Sequence, residues 1–442
     1  MSRLGAALLC AAALLTACTH YNTLYNAERL YRDAERDRLA GRDSLALAQY
    51  RDVIRKTADA YRSRPEDERA AATLFLLGRA QLRAGEPRAA ALALEEAARH
   101  ATEPGLRPEV LVYLAAAEAR LGNHEVAMAR LDEALQGNLA GEALAEARFL
   151  RGSVELAQRP SDTGWTDLAA AGAEPGVRIE AALQRLRLSI QHGERERARA
   201  ALSGLLAERT ASERLDTIVA LVGVASARWG SADAASLLGA ADSSRWAQPQ
   251  RGRAQLERAK LLHQAMDTAG AVEGATQVAA GRGLAAAEAR LLLAGWRLDG
   301  ARDLGVAAAV RILLLPASGD ERVESLLRAL DELDRYTGLG LDEPLAWFHA
   351  AEVARDRLQA PMLARGLFLA YADIDPSAPW APKALLAALD ASSDEPDRDW
   401  LRGRLEAHVG SPYVLAAWGR PHAGLEALDE ELSVRLQEIT GR

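Results

Sequence analysis

Between Ala71 and Pro104 the apolar positions fall three and four residues apart. Leu74, Leu77 and Gly78 share one face of a first segment, and Ala90, Leu94 and Ala97 share one face of a second. The segments are separated by Gly85-Glu86-Pro87. Such spacing puts side chains on one side of an α-helix, so the stretch predicts two short helices joined by a tight turn. Two helices with one apolar stripe each cannot bury both stripes alone, and the pair therefore has to stack on similar neighbours.

The neighbours are visible as copies. At a fixed offset of 37 residues, Leu74 meets Leu111, Leu77 meets Leu114, Gly85 meets Gly122, Ala90 meets Ala127, Leu94 meets Leu131 and Ala97 meets Ala134. A third copy at the same offset carries Phe149-Leu150-Arg151-Gly152 where the first has Phe75-Leu76-Leu77-Gly78, with Arg159-Pro160 in place of the turn glycine. Later breaks fall at Gly193, Gly230, about Asp267 and Gly300, a rhythm that marks a helical repeat array of about eleven or twelve pairs. Residues 24–39 and 44–61 read as the first pair. Pro65, Pro108, Pro175, Pro249, Pro344 and Pro382 each stand where a helix begins, a place where the missing N–H costs nothing.

The residue pattern fades over 210–340 and sharpens again beyond it. Ala364, Phe368, Tyr371 and Pro376 have the spacing of a second repeat helix, and Pro379-Trp380 is echoed by Pro412-Tyr413. Leu425, Leu428, Leu432, Leu436 and Ile439 form one stripe on a charged last helix, as the polar cap of a stack requires. The expected organisation is repeats over 24–209, degenerate repeats over 210–340, and further repeats with a capping helix over 341–442. The fold class is all-α, an α-solenoid or superhelix of stacked antiparallel helix pairs.

Composition agrees. Of 442 residues, 49% are hydrophobic but only 5% aromatic, and much of the apolar share is alanine, which favours helix. A net charge of −8 with both signs interspersed lacks the basic stripe of a nucleic-acid surface. The positive charge is nearly all arginine; the lysines are Lys56, Lys260 and Lys383.

The sequence carries no recognisable catalytic, cofactor-binding or metal-binding set. Gly281-Arg282-Gly283 superficially fits a dinucleotide fingerprint but lacks the preceding strand, and reads as an inter-helix turn. Glu324-Ser325 lacks the glycine-rich continuation that a lytic transglycosylase would have. The eight histidines are scattered, and the run Asp394, Glu395, Asp397, Asp399 suits the positive end of a helix better than a calcium loop. Tyr21, Tyr25, Tyr31, Tyr50 and Tyr61 either cover the end of the stack or form a docking patch. Trp229, Trp296, Trp347, Trp380, Trp400 and Trp418 suit inter-helix packing, with a sugar-stacking groove as the other option.

At the N-terminus, Arg3, an apolar run Leu4–Leu14 and then Leu15-Thr16-Ala17-Cys18 have the order of a signal peptide too short to span a membrane. This end resembles the lipobox of bacterial lipoproteins. The resemblance implies cleavage between Ala17 and Cys18, lipidation of Cys18 and a tether over 18–23; Thr19 in place of aspartate resembles outer-membrane sorting. The stretches 71–104 and 364–376 resemble the tetratricopeptide repeat, with Leu77-Gly78, Ala90 and Leu94 retained while Leu74 and Gln81 replace its tryptophan and tyrosine. The C-terminal junctions are similar to those of periplasmic tetratricopeptide proteins of outer-membrane assembly and Tol-Pal coordination. The resemblances imply a non-enzymatic scaffold without cofactor, metal or nucleic acid. It would be lipid-anchored at the outer membrane, facing the periplasm, and would bind other envelope proteins. The alternative is a helical glycan- or peptidoglycan-binding accessory module. In either case Leu74, Leu77, Gly78, Gly85, Ala90, Leu94, Leu111, Leu114, Gly122, Ala127, Leu131, Gly152, Gly193, Ala364, Phe368, Tyr371 and Pro376 define the repeats, and function has to lie in positions that differ between copies.

Overall fold

A computed structural model describes residues 24–103 and 105–441, and these form helices and turns with no strand among them. Cys18, its cleavage site, the tether and Pro104 lie outside the described residues. By packing, the chain divides into two units, Met1–Ala265 and Met266–Arg442.

In the first unit, α1 (residues 24–39) is followed by α2 (Asp43–Ser63), α3 (Ala70–Arg83), α4 (Pro87–His100), α5 (Leu106–Arg120), α6 (His124–Gln136), α7 (Gly141–Gln158), α8 (Asp162–Ala171), α9 (Arg178–His192), α10 (Arg195–Ala207), α11 (Leu215–Trp229), α12 (Ser231–Leu237) and α13 (Gln248–Gln264). The helices of each pair, from α3 with α4 to α11 with α12, pack on one another. The first helix of a pair also packs on the first helix of the next, so that α3, α5, α7, α9, α11 and α13 form one continuous layer. This is the stacking that the 37-residue offset demands.

The matched positions occupy matched environments. Leu74 and Leu111, Leu77 and Leu114, Ala90 and Ala127, Leu94 and Leu131 are all buried. Gly85 and Gly122 turn the chain with φ of 85° and 87°, and Gly193 does the same at 79°, a left-handed conformation that glycine adopts without strain. The break near Asp267 has no glycine; there Met266 takes a φ of 65° and Asp267 caps the next helix by accepting from the Gly270 N–H. Ser161 caps α8 in the same way after Arg159-Pro160.

Gly78 and Gly152 let the paired helices touch. A Cβ on Gly78 would lie 2.5 Å from Leu94 Cγ, whereas one on Gly152 would lie 2.6 Å from the backbone oxygen of Gly164. Leu94 is wholly buried and the Gly164 oxygen belongs to the backbone, so neither can move aside freely. Gly152→Ala and Gly78→Ala are therefore each expected to destabilise by about 1–3 kcal/mol in urea unfolding of the whole chain.

The second unit contains α14 (Thr268–Ala279), α15 (Leu284–Asp299), α16 (Gly305–Leu314), α17 (Glu321–Thr337), α18 (Pro344–Glu352), α19 (Pro361–Ile374), α20 (Ala381–Asp390), α21 (Glu395–Glu406), α22 (Pro412–Ala417) and α23 (Leu425–Thr440). Its core centres on Phe348, which meets Phe368 and Tyr371 edge-on at 5.3 and 5.4 Å, with Ala364 fully buried beside them. Pro376 sits exposed in the turn after α19. The stripe of α23 packs on this core through buried Leu432 and its half-buried neighbours, and the helix returns to α18. Its entry is fixed by Trp380 Nε1 donating to the Leu428 carbonyl at 3.0 Å. Asp429 in turn receives both Lys383 Nζ at 2.6 Å and the Tyr413 hydroxyl at 2.8 Å.

Candidate functional site

Charged side chains and the edges of core residues such as Tyr31, Phe75 and Leu76 line a cavity of about 660 Å³ in the first unit. It is walled by α1, α3, α5, α7 and α9, the inner layer of first helices. Helix α1 reaches across this layer: its Leu24, Ala27, Tyr31 and Ala34 are buried against α2 and α3, while Arg38 at its far end donates to Glu180 of α9 at 3.2 Å.

A network of charges holds the wall together. Arg83 donates from Nε to Glu35 at 2.9 Å and from Nη2 to Glu146 at 3.2 Å. Glu35 also accepts from Arg38 at 3.1 Å and from the Tyr50 hydroxyl; Glu146 accepts from the Tyr113 hydroxyl; Glu180 accepts from Arg214 at 2.8 Å. Burial by itself would raise the Glu35 pKa, but the Arg83 and Arg38 charges and the Tyr50 hydrogen bond outweigh it and hold the carboxyl down at about 2. The same carboxylate and burial push the Tyr50 phenol upward. Burial, together with the charges of Arg83 and Arg38, lowers the Arg120 guanidinium from its ordinary value.

Arg79 stands apart from this network. Its guanidinium lies 4.6 Å from the Tyr31 ring centroid and 4.7 Å from that of Tyr113, with Phe75 at 5.3 Å. Cation–π contact holds it in place. Among the described residues no hydrogen bond or ion pair reaches it, and its Nε is buried without a partner, as is the Tyr31 hydroxyl.

None of these arginines or glutamates stands among the residues that the repeat pattern singles out, because those residues are the ones alike between copies. The signal that would have found Arg79 is its difference: at the 37-residue offset its counterparts are Ala116 and Ser153, while those of Tyr113 are Leu76 and Leu150. The early tyrosines divide. Tyr31 and Tyr50 are interior, with ring centroids 5.6 Å apart, so they cover no exposed end, whereas Tyr25 is largely exposed.

The remaining candidates fall where ordinary packing puts them. Gly281-Arg282-Gly283 is the turn between α14 and α15. Glu324-Ser325 is exposed in the first turn of α17. Asp394 is the N-cap of α21, and Glu395, Asp397 and Asp399 pair with Arg402, Arg365 and Arg402. No group of three or more metal-ligating side chains is assembled among the described residues. Trp380 is buried; Trp229, Trp296 and Trp347 are half-buried; Trp400 and Trp418 are exposed, each with one ring face under an arginine, Arg404 and Arg420.

No family model matches this sequence, and no curated protein matches it. A solved structure of a tetratricopeptide repeat protein from Parabacteroides merdae is similar at 16% identity, over 60% of this chain and 97% of that one, with a TM-score of 0.32. The described residues are all-α, a stack of antiparallel helix pairs.

Proposed function

We propose that this chain is a non-enzymatic scaffold of the bacterial cell envelope. It is anchored through lipid on Cys18, faces the periplasm from the outer membrane, and binds other envelope proteins in the course of envelope or outer-membrane biogenesis. The observation that carries the binding part is the inner layer α1-α3-α5-α7-α9, which gathers copy-specific polar and aromatic side chains around one cavity while the shared leucines and alanines stay in the core. Stacked repeats expose such a layer as an extended surface suited to a peptide or a partner helix.

The envelope setting is supported by the lipobox-like Leu15-Thr16-Ala17-Cys18 and by the C-terminal junctions around Pro379-Trp380 and Pro412-Tyr413. Among the described residues no helix is long and apolar enough to cross a membrane, so attachment in this reading rests on the lipid alone. Cys18→Ala is expected to abolish incorporation of labelled palmitate and to move the protein from the membrane pellet to the soluble fraction. A variant that stays in the pellet contradicts the anchor.

A further inference from the structure

We propose that the first-unit cavity is a carboxylate-binding site centred on Arg79. Arg79 is half-buried with its Nε closed to solvent, and an arginine so withdrawn from water is ordinarily matched by an anion, because leaving such a charge uncompensated is costly. Here the carboxylates of the charge network are already committed, and Glu28 and Glu142, which also line the cavity, make no bond to Arg79. Glu146, the nearest by its effect on Arg79, gives one oxygen to Arg83 and the other to Tyr113, and Glu35 and Glu180 are each shared by two arginines. Of Arg38, Arg79, Arg83, Arg120 and Arg214, Arg79 is the one that neither a carboxylate nor a carbonyl satisfies.

The geometry also selects the kind of anion. The Tyr31 and Tyr113 rings lie against the guanidinium and its Nε is closed off, which leaves the terminal nitrogens as the route to a ligand; their paired N–H groups match a planar carboxylate with two parallel hydrogen bonds. The cavity volume is that of an ordinary small-ligand pocket, sufficient for a small organic acid or for an acidic side chain or C-terminus carried by an extended peptide. Both sources present the same group, and the site does not depend on where in the cell the protein resides.

The test is thermal unfolding of the full chain with sodium succinate, with acetyl-Glu-Glu-amide, and with triglycine against triglycine amide, each compared with sodium chloride at equal ionic strength. The expected result is a rise in Tm of about 2–4 °C near saturation with at least one carboxylate. The same rise should appear in Arg62→Met, an exposed arginine on α2, and be absent in Arg79→Met. Arg79→Lys keeps the charge but loses the planar fork, and is expected to bind about ten-fold more weakly; it also serves if Arg79→Met does not fold. Response to succinate alone identifies a small organic acid, response to the glutamyl peptide an acidic side chain, and response to triglycine but not its amide a C-terminus. No rise beyond chloride with any of these, or an undiminished rise in both Arg79 variants, overturns the proposal.

Discussion

Glu35→Gln is expected to destabilise the protein by about 3 kcal/mol at pH 7 and by only about 1 kcal/mol near pH 3. The reason is the depression of the Glu35 carboxyl from 4.5 to about 2 in the folded chain. A lowered folded-state pKa contributes stability that is fully present above about pH 4.5 and is lost as the pH falls through 2. The substitution removes the charge that Arg83 and Arg38 share, leaving Arg83 with Glu146 and Arg38 with Glu180 as their remaining carboxylate partners. Urea unfolding of wild type and variant across this range checks it; a difference that does not shrink toward acid would contradict the assignment.

The second large effect lies in the repeat core. Leu94→Ala and Leu131→Ala should each cost about 2–5 kcal/mol, since each empties a site where the native side chain is wholly buried. The two values should be similar, because the leucines hold the same place in successive pairs. Leu92→Ala, on the exposed side of α4, should change stability by no more than about 0.5 kcal/mol. Shifts in urea midpoint report all three. A mild effect at Leu131 alone would mean that the second pair packs less tightly than the first.

Much of the stack is legible in the amino-acid pattern because its constraints are local and repeated. A leucine facing its partner helix recurs at Leu94 and Leu131, and a turn glycine recurs at Gly85 and Gly122. Helix α5 shows the limit of periodicity: Val110 to Ala117 are buried without interruption, so the helix has no polar face for a stripe to stand against. The turn at Met266 shows another, since an ordinary side chain takes the conformation that sequence reasoning assigns to glycine.

The cavity was not legible, and the physical reason is distance along the chain. Glu35 meets Arg83 across 48 residues, Arg83 meets Glu146 across 63 and Arg38 meets Glu180 across 142. No spacing rule links such positions; only the stacking of α1, α3, α7 and α9 brings them together. Each alone reads as a solvated charge on an amphipathic helix. Arg79 is distinguished by what its counterparts Ala116 and Ser153 lack, which marks it as different without saying what it faces.

The central claim is that partners are bound on the inner layer of the first unit. It is tested most directly by placing a photo-crosslinking amino acid in living cells at Arg32 or Glu142, both exposed and both lining the cavity, and at Leu92 on the far side of a second helix. The expected result is one and the same envelope protein, identified by mass spectrometry, joined to the chain from Arg32 and from Glu142 and absent from Leu92. Adducts from Leu92 with none from the two cavity positions would contradict it.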